Sequence, residues 1–154
     1  MIPVSFEPPP VYFMHVPKSG GVSLGKWLRS AYAGGYFDLD LRQIINLTDR
    51  NVRGFRCYHD WHHGRSLFDW LNRPDLTVIT MLRNPVERAI SNFYYQQRYF
   101  VAHPEGFKVE YRAKLSRLSD MELSQCLDDQ FLTPVLSNAE SRHLGDRRDY
   151  GVFL

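Results

Sequence analysis

Three clusters of residues in this sequence have types and spacing suited to chemistry. In Lys18-Ser19-Gly20-Gly21-Val22-Ser23 a lysine, two hydroxyls and a glycine pair stand together. Lacking side chains, Gly20 and Gly21 let backbone N–H groups close around an anion. A helix starting there adds the pull of its dipole. The set reads as a phosphate cradle, against the plainer reading of a strand-to-helix turn. The second cluster is Leu82-Arg83-Asn84-Pro85-Val86-Glu87-Arg88-Ala89-Ile90-Ser91. Arg83 can hold a phosphate through two parallel hydrogen bonds, with Ser91 two turns along the next helix; the competing reading is a surface arginine and an ordinary helical serine. The third is His59-Asp60-Trp61-His62-His63. A neutral histidine there suits a general base, since its proton equilibrium lies near neutrality. The same side chains are metal ligands by type, but adjacent loop residues rarely converge on one ion without a fixed scaffold, so no metal is expected. Trp61, Trp70 and Tyr94 read as core before they read as sugar-stacking platforms.

The elements that must position these clusters alternate between strand and helix. After Pro8-Pro9-Pro10, the run from Val11 to Val16 reads as a buried strand. Pro17 to Gly21 forms a tight loop, and Val22 to Tyr32 a helix whose apolar face is Val22, Leu24, Leu28 and Ala31. Gly34-Gly35 ends it through left-handed backbone angles. Leu39 to Leu47 suggests a short surface helix, and Arg53 to Tyr58 a second strand with the histidine cluster in the loop at its end. Ser66 is placed to cap a helix running through Asn72, with Pro74 opposing its extension. Leu76 to Leu82, apolar throughout except for threonine, predicts the central strand of a sheet. Asn84 caps the following helix with Pro85 at its first position, and Val86, Ile90, Phe93, Tyr94 and Gln97 share a face. Ala102 to Ser116 is polar and loop-like, Ser119 to Asp129 reads as helical, and Leu132 to Leu154 has no clear period. Strands separated by helices predict an α/β fold with a small, mainly parallel sheet.

Composition sets the outer limits. The chain's 154 residues match one domain, and 44% hydrophobic with 23% charged residues is the mix of a globular protein. A net charge of +2 is too small for general affinity to nucleic acid or anionic membrane, so any anion site is local. No apolar run approaches the roughly 20 residues that cross a bilayer. Cys57 and Cys126 allow one bridge at most and are read as reduced thiols. Met1-Ile2-Pro3 lacks the opening of a signal peptide, so a cytoplasmic location is expected, although a piece of a longer secreted protein would look the same. Gly20 to Lys26 has the Gly-x-x-x-x-Gly-Lys spacing of a nucleotide-triphosphate loop, but Trp27 stands where the magnesium-binding hydroxyl belongs.

Taken together, the motifs carry a family resemblance. His15-Val16-Pro17-Lys18-Ser19-Gly20-Gly21-Val22-Ser23-Leu24 resembles the 5'-phosphosulfate loop of sulfotransferases related to the heparan sulfate 2-O- and 6-O-sulfotransferases. Leu82 to Arg88 with Ser91 and Tyr94-Tyr95 is similar to their 3'-phosphate motif, and both stand in the family's order. Asn138 to Gly145 is similar, more weakly, to a late segment near the nucleotide. The resemblance implies a P-loop-like three-layer α/β sandwich. It implies 3'-phosphoadenosine 5'-phosphosulfate (PAPS) as sulfate donor, held by Lys18, Ser19, Gly20, Gly21, Val22 and Ser23 at its 5' end and by Arg83 and Ser91 at its 3'-phosphate. Tyr58-His59-Asp60-Trp61 is similar to the segment that carries the catalytic histidine in the 6-O branch, which implies His59 as base beside Lys18, with His62 in reserve. The acceptor would be a hydroxyl, by the same resemblance that of a carbohydrate. Val22 stands where the family often has threonine, removing a hydroxyl but no backbone amide. Family members continue past the segment similar to Asn138 to Gly145, so a minimal or C-terminally truncated form is expected. A nucleotide-binding module without catalysis, and an ATP-dependent kinase of the P-loop type, are the alternative functions.

Overall fold

The computed structural model describes residues 8–39, 52, 54–61, 63–103, 116–128, 140 and 144–145. Among them the elements run β1 (Val11–Met14), α1 (Gly21–Ala31), β2 (Tyr36–Leu39), β3 (Cys57–Asp60), α2 (Arg65–Leu71), β4 (Thr77–Thr80), α3 (Pro85–Ala102), a 3-10 turn (Arg117–Asp120) and α4 (Leu123–Asp128). They divide into two units, one within Met1–Leu82 and Glu140–Leu154, the other within Arg83–Ala139.

The first unit is built on a four-stranded sheet of order β2-β3-β1-β4, with every pairing parallel. The α/β expectation is met at this level. Parallel strands need crossover connections, and α1 and α2 supply two of them. Because side chains alternate across a strand, β1 feeds both faces. Val11 and Phe13 pack with Leu28, Tyr32 and Cys57 beside Leu24 of α1, whereas Tyr12 and Met14 pack with Tyr58, Leu67, Leu71 and Leu76 on the α2 side. The Tyr12 hydroxyl donates to the Gly64 carbonyl at 2.9 Å, which satisfies a buried polar group on the second face.

In several places the structure departs from the sequence reading. The run Leu76 to Leu82 gives β4, which is an edge strand among the described residues, with Thr77 and Val78 exposed. An apolar run marks burial only when a neighbour lies on both sides, and here β1 holds the centre. Tyr36–Leu39 is a strand, so the helix expected from Leu39 does not begin there; residues 40–47 lie outside the described residues. The second predicted strand, Arg53 to Tyr58, is shifted to Cys57–Asp60, with Gly54 to Arg56 in turn and bend. Ser66 does not cap α2: Gly64 holds that position, and the Ser66 hydroxyl donates to the His63 carbonyl at 2.8 Å. The buried side of α1 is Gly21, Gly25 and Leu28, continuing to Tyr32, while Val22 is 53% exposed and Ala31 is exposed.

In the second unit, Asn84 caps α3 as expected, its Oδ1 accepting from the Val86 and Glu87 amides at 3.0 and 3.3 Å with Pro85 at the helix start. The buried side of α3 holds Arg88, Asn92 and Phe93; Val86, Ile90 and Tyr94 of the predicted face are exposed. Gln97 donates to the carbonyls of Leu118 and Met121, fastening α3 to the 3-10 turn. The predicted helix from Ser119 to Asp129 is thus two pieces, parted at Met121, whose backbone is extended. Trp70 and Tyr94, expected in the core, are 45% and 46% exposed.

Candidate functional site

The strands are parallel, so their C-terminal ends lie on one edge of the sheet, where open α/β sheets place ligands. The loop that leaves β1 there is the predicted phosphate cradle. Two of its residues adopt left-handed backbone angles, Lys18 (φ 68°) and Gly20 (φ 88°). For lysine this conformation is unfavourable by about 1–2 kcal/mol and marks a turn held by its surroundings. The reversal starts α1 at Gly21, directly after the N-cap Gly20. Among the described residues no side chain caps this terminus, and no acidic residue stands in its first turn. Ser19 is only 5% exposed, and its hydroxyl has no hydrogen-bond partner among the described residues. Burying an unsatisfied hydroxyl costs about 1–3 kcal/mol, so the loop carries an uncompensated polar group beside an uncapped helix. Ser23 lies in the first turn, exposed, its amide bonded to the Gly20 carbonyl at 3.2 Å.

Beneath α1 lies a layer of aromatic and titratable groups. His59 is not in a loop. It sits inside β3, paired in register with Phe13 of β1 and Asp38 of β2, and is 1% exposed. Its Nε2 lies 3.1 Å from Nδ1 of His15, itself 4% exposed at the end of β1. Its Nδ1 lies 2.5 Å from the Tyr36 hydroxyl and 3.6 Å from Oδ1 of Asp38. Trp61 stacks on the His59 ring at 4.4 Å between centroids, and its indole N–H donates to Asp38. The Arg29 guanidinium of α1 reaches over the Tyr36 ring and pairs with Asp38. Both ring nitrogens of His59 are therefore engaged.

This layer exists because α1 has glycines where it crosses the imidazoles. A Cβ at Gly21 would stand 2.2 Å from Cδ2 and 2.4 Å from Nε2 of His15, and one at Gly25 would stand 2.5 Å from Cε1 of His59. Real contacts of that length do not occur, so both positions must lack a side chain for helix and sheet to meet. Gly25, which completes the Gly-x-x-x-x-Gly-Lys spacing in the sequence, is a helix-interior residue whose function is close packing.

Burial tunes the neighbours. The Tyr36 phenol is pushed up from 10.0 to about 12, chiefly by burial and next by the Asp38 charge. The Cys57 thiol is raised from 9.0 to about 12 for the same two reasons in the same order. Tyr36 stays protonated and Cys57 stays an inert thiol at neutral pH. Neither cysteine is in a disulfide.

The remaining predicted residues fall elsewhere. Asp60 is fully buried on the opposite face, where its carboxylate accepts from the amides of His63 and Gly64 at 2.8 and 2.6 Å. It fixes the turn into α2. His62 lies outside the described residues, and of the segment Asn138 to Gly145 only Glu140, Leu144 and Gly145 are described. No group of metal-ligating residues is found among the described residues. Arg83 and Ser91 belong to the second unit, and Lys18 and His59 to the first. Arg83 directs its Nε at Oε2 of Glu87, 3.2 Å away. Ser91, part-buried, is in the second turn of α3.

Sequence reasoning missed His15, Tyr36, Asp38 and Gly25. A signal was present: Tyr36 and Asp38 alternate after a Gly-Gly turn, and glycines four apart on a helix mark a face pressed on its neighbour. Among the described residues no helix is long and apolar enough to cross a membrane. No family model, no curated protein and no solved structure matches the chain.

Proposed function

We propose that the protein transfers a sulfuryl group from PAPS to a hydroxyl, that of a carbohydrate by the resemblance of its motifs, on a P-loop-like three-layer α/β sandwich. The observation that carries the reading is the start of α1: an uncapped helix terminus, a buried Ser19 hydroxyl without a partner among the described residues, and Lys18 in a left-handed turn beside them. An oxyanion suits this helix start, accepting from its amides and from the Ser19 hydroxyl beside a cation.

Sulfuryl transfer asks little of a protein beyond this. The acceptor oxygen attacks sulfur in line as the S–O bond to the 5'-phosphate breaks. Charge builds on the leaving phosphate, where Lys18, Ser19 and the amides of Gly20, Gly21, Val22 and Ser23 offset it. No metal is needed for that charge. By the resemblance Arg83 and Ser91 would meet a 3'-phosphate, and His59 would take the acceptor's proton. Engagement of both His59 nitrogens favours a second reading, a nucleotide-binding module without turnover.

Thermal unfolding with 3'-phosphoadenosine 5'-phosphate (PAP), compared with ATP and magnesium, tests the proposal. At about 100 times its dissociation constant the ligand adds about 2.7 kcal/mol, a rise of roughly 5–10 °C for a chain of this size. A rise with PAP and none with ATP supports it. The reverse pattern points to a kinase, and PAP binding without transfer to any hydroxyl acceptor to the module.

A further inference from the structure

The strand beside the anion loop brings a thioether against it. Met14 of β1 is in register with Thr80 of β4, and the Thr80 hydroxyl donates to the Met14 carbonyl at 2.9 Å. Because the two strands are parallel, both leave the sheet at the same edge, β1 toward Lys18 to Gly21 and β4 into Met81. There the two segments meet. A Cβ at Gly20 would stand 3.2 Å from Cε and 4.0 Å from Sδ of Met81. Gly20 is thus a glycine for two reasons, its left-handed angle (φ 88°) and the methionine that fills the adjoining space. Met81 is also open to solvent, 37% exposed, whereas Met14 inside β1 is 2% exposed.

We propose that Met81 is a redox-sensitive modification site, at which oxidation of the thioether to the sulfoxide by a peroxide closes the start of α1 to anions. The inference rests on the anion-loop part of the sulfuryl-transfer reading and needs no turnover. In the reduced protein the thioether is apolar and a weak acceptor, so it packs on Gly20 without competing for hydrogen-bond donors. On oxidation a sulfur lone pair attacks one oxygen of the peroxide, and an S–O bond forms as the O–O bond breaks. The proton of the attacked oxygen passes to the other, which leaves as water or, from an alkyl peroxide, as an alcohol. Sulfur gives up two electrons and the peroxide takes them. A methionine sulfoxide reductase reverses the step, its two thiols becoming a disulfide while the oxygen leaves as water.

What the modification adds is a polar acceptor oxygen where there was none. It arrives beside a helix start that no side chain caps among the described residues, and beside the buried Ser19 hydroxyl, which has no hydrogen-bond partner among them. The donors that suit an external oxyanion then bond to an oxygen of the chain itself, which acts as an internal cap.

The test compares the whole chain before treatment with hydrogen peroxide, after it, and after repair by the reductase. Peptide mass spectrometry should find oxygen on Met81 ahead of Met14. Amide NMR without ligand should show the Gly20 and Gly21 signals displaced on oxidation and restored by repair. PAP affinity, read by thermal unfolding, should fall by about tenfold or more on oxidation. Two variants, each compared with its own untreated form, locate the effect. Met81→Leu, which keeps the volume and has no sulfur, should lose no affinity to peroxide, and Met121→Leu should lose it as the wild type does. Oxidised Met81 with unmoved Gly20 and Gly21 amides overturns the proposal, as does an equal loss of affinity in peroxide-treated Met81→Leu. If the reduced wild type binds no PAP, the sulfuryl-transfer reading fails by itself, and inorganic sulfate becomes the probe. Sulfate that displaces the Gly20 and Gly21 amides before oxidation and not after it upholds the switch, and sulfate that displaces them in neither state, or equally in both, overturns it.

Discussion

The N-termini of α1 and α3 follow similar sequences, a short loop with a cation leading into a long helix, yet they are opposite in electrostatic state. At α3 every demand is met locally. Asn84 accepts from the Val86 and Glu87 amides, Pro85 has no N–H to satisfy, and Glu87 stands in the positive end of the dipole while pairing with Arg83. At α1 the cap is a glycine, the first turn has no acid, and the nearest buried hydroxyl has no partner among the described residues. A terminus that satisfies itself has little to offer a ligand, whereas one left open holds its binding energy in reserve. At α3 the adjoining cation Arg83 is paired with Glu87, whereas the first turn of α1 holds no acid.

The largest effect that would break this contrast lies in the packing of α1. Gly21→Ala should destabilise the protein by about 1–3 kcal/mol or more, because overpacking against His15 outweighs the roughly 1 kcal/mol that alanine gains in helix propensity. Urea unfolding reads it, and a neutral or stabilised variant would mean that helix and sheet are not in close contact. Next comes pH. Tyr36 and Cys57 have raised folded values, so their contribution to stability is complete below the unfolded values of 9.0 to 10.0 and is lost as pH climbs toward about 12. The denaturation midpoint should therefore be level to about pH 9 and fall above it, and in Tyr36→Phe with Cys57→Ala the fall should be blunted.

Asn84→Ala removes a working cap and should cost about 0.5–2 kcal/mol. Ser19→Ala deletes a hydroxyl that bonds nothing among the described residues, so unliganded stability should be unchanged within about 0.5 kcal/mol, or raised, while the PAP-induced rise in Tm shrinks. Equal losses from these two substitutions, measured by calorimetry, would erase the distinction between the termini. Smallest of all, Glu87→Gln removes an exposed pair worth about 0.3–0.5 kcal/mol and one competitor for Arg83, so PAP affinity should rise if Arg83 meets the 3'-phosphate.

Much of the fold was legible because it is written in neighbouring residues. Val11 to Met14 followed by the glycine loop and a helix, and Asn84-Pro85 before another, are contacts between positions three or four apart, settled by backbone sterics and local hydrogen bonds. The turn from Lys18 into the start of α1 was legible for the same reason. The place of a strand within the sheet was not, since Leu76 to Leu82 looks central by composition and lies at the edge by pairing.

By itself, then, the sequence determined the strand, glycine loop and helix that open the fold and the cap at Asn84, all through short-range chemistry. Only tertiary structure decided that His59 faces His15 across 44 residues of chain, that Asp38 joins them from a third strand, and that Gly25 exists to let a helix rest on an imidazole. The physical reason is that parallel pairing sets register between segments with no covalent proximity. Which side chains share a row is fixed when the strands dock, and no local periodicity records it.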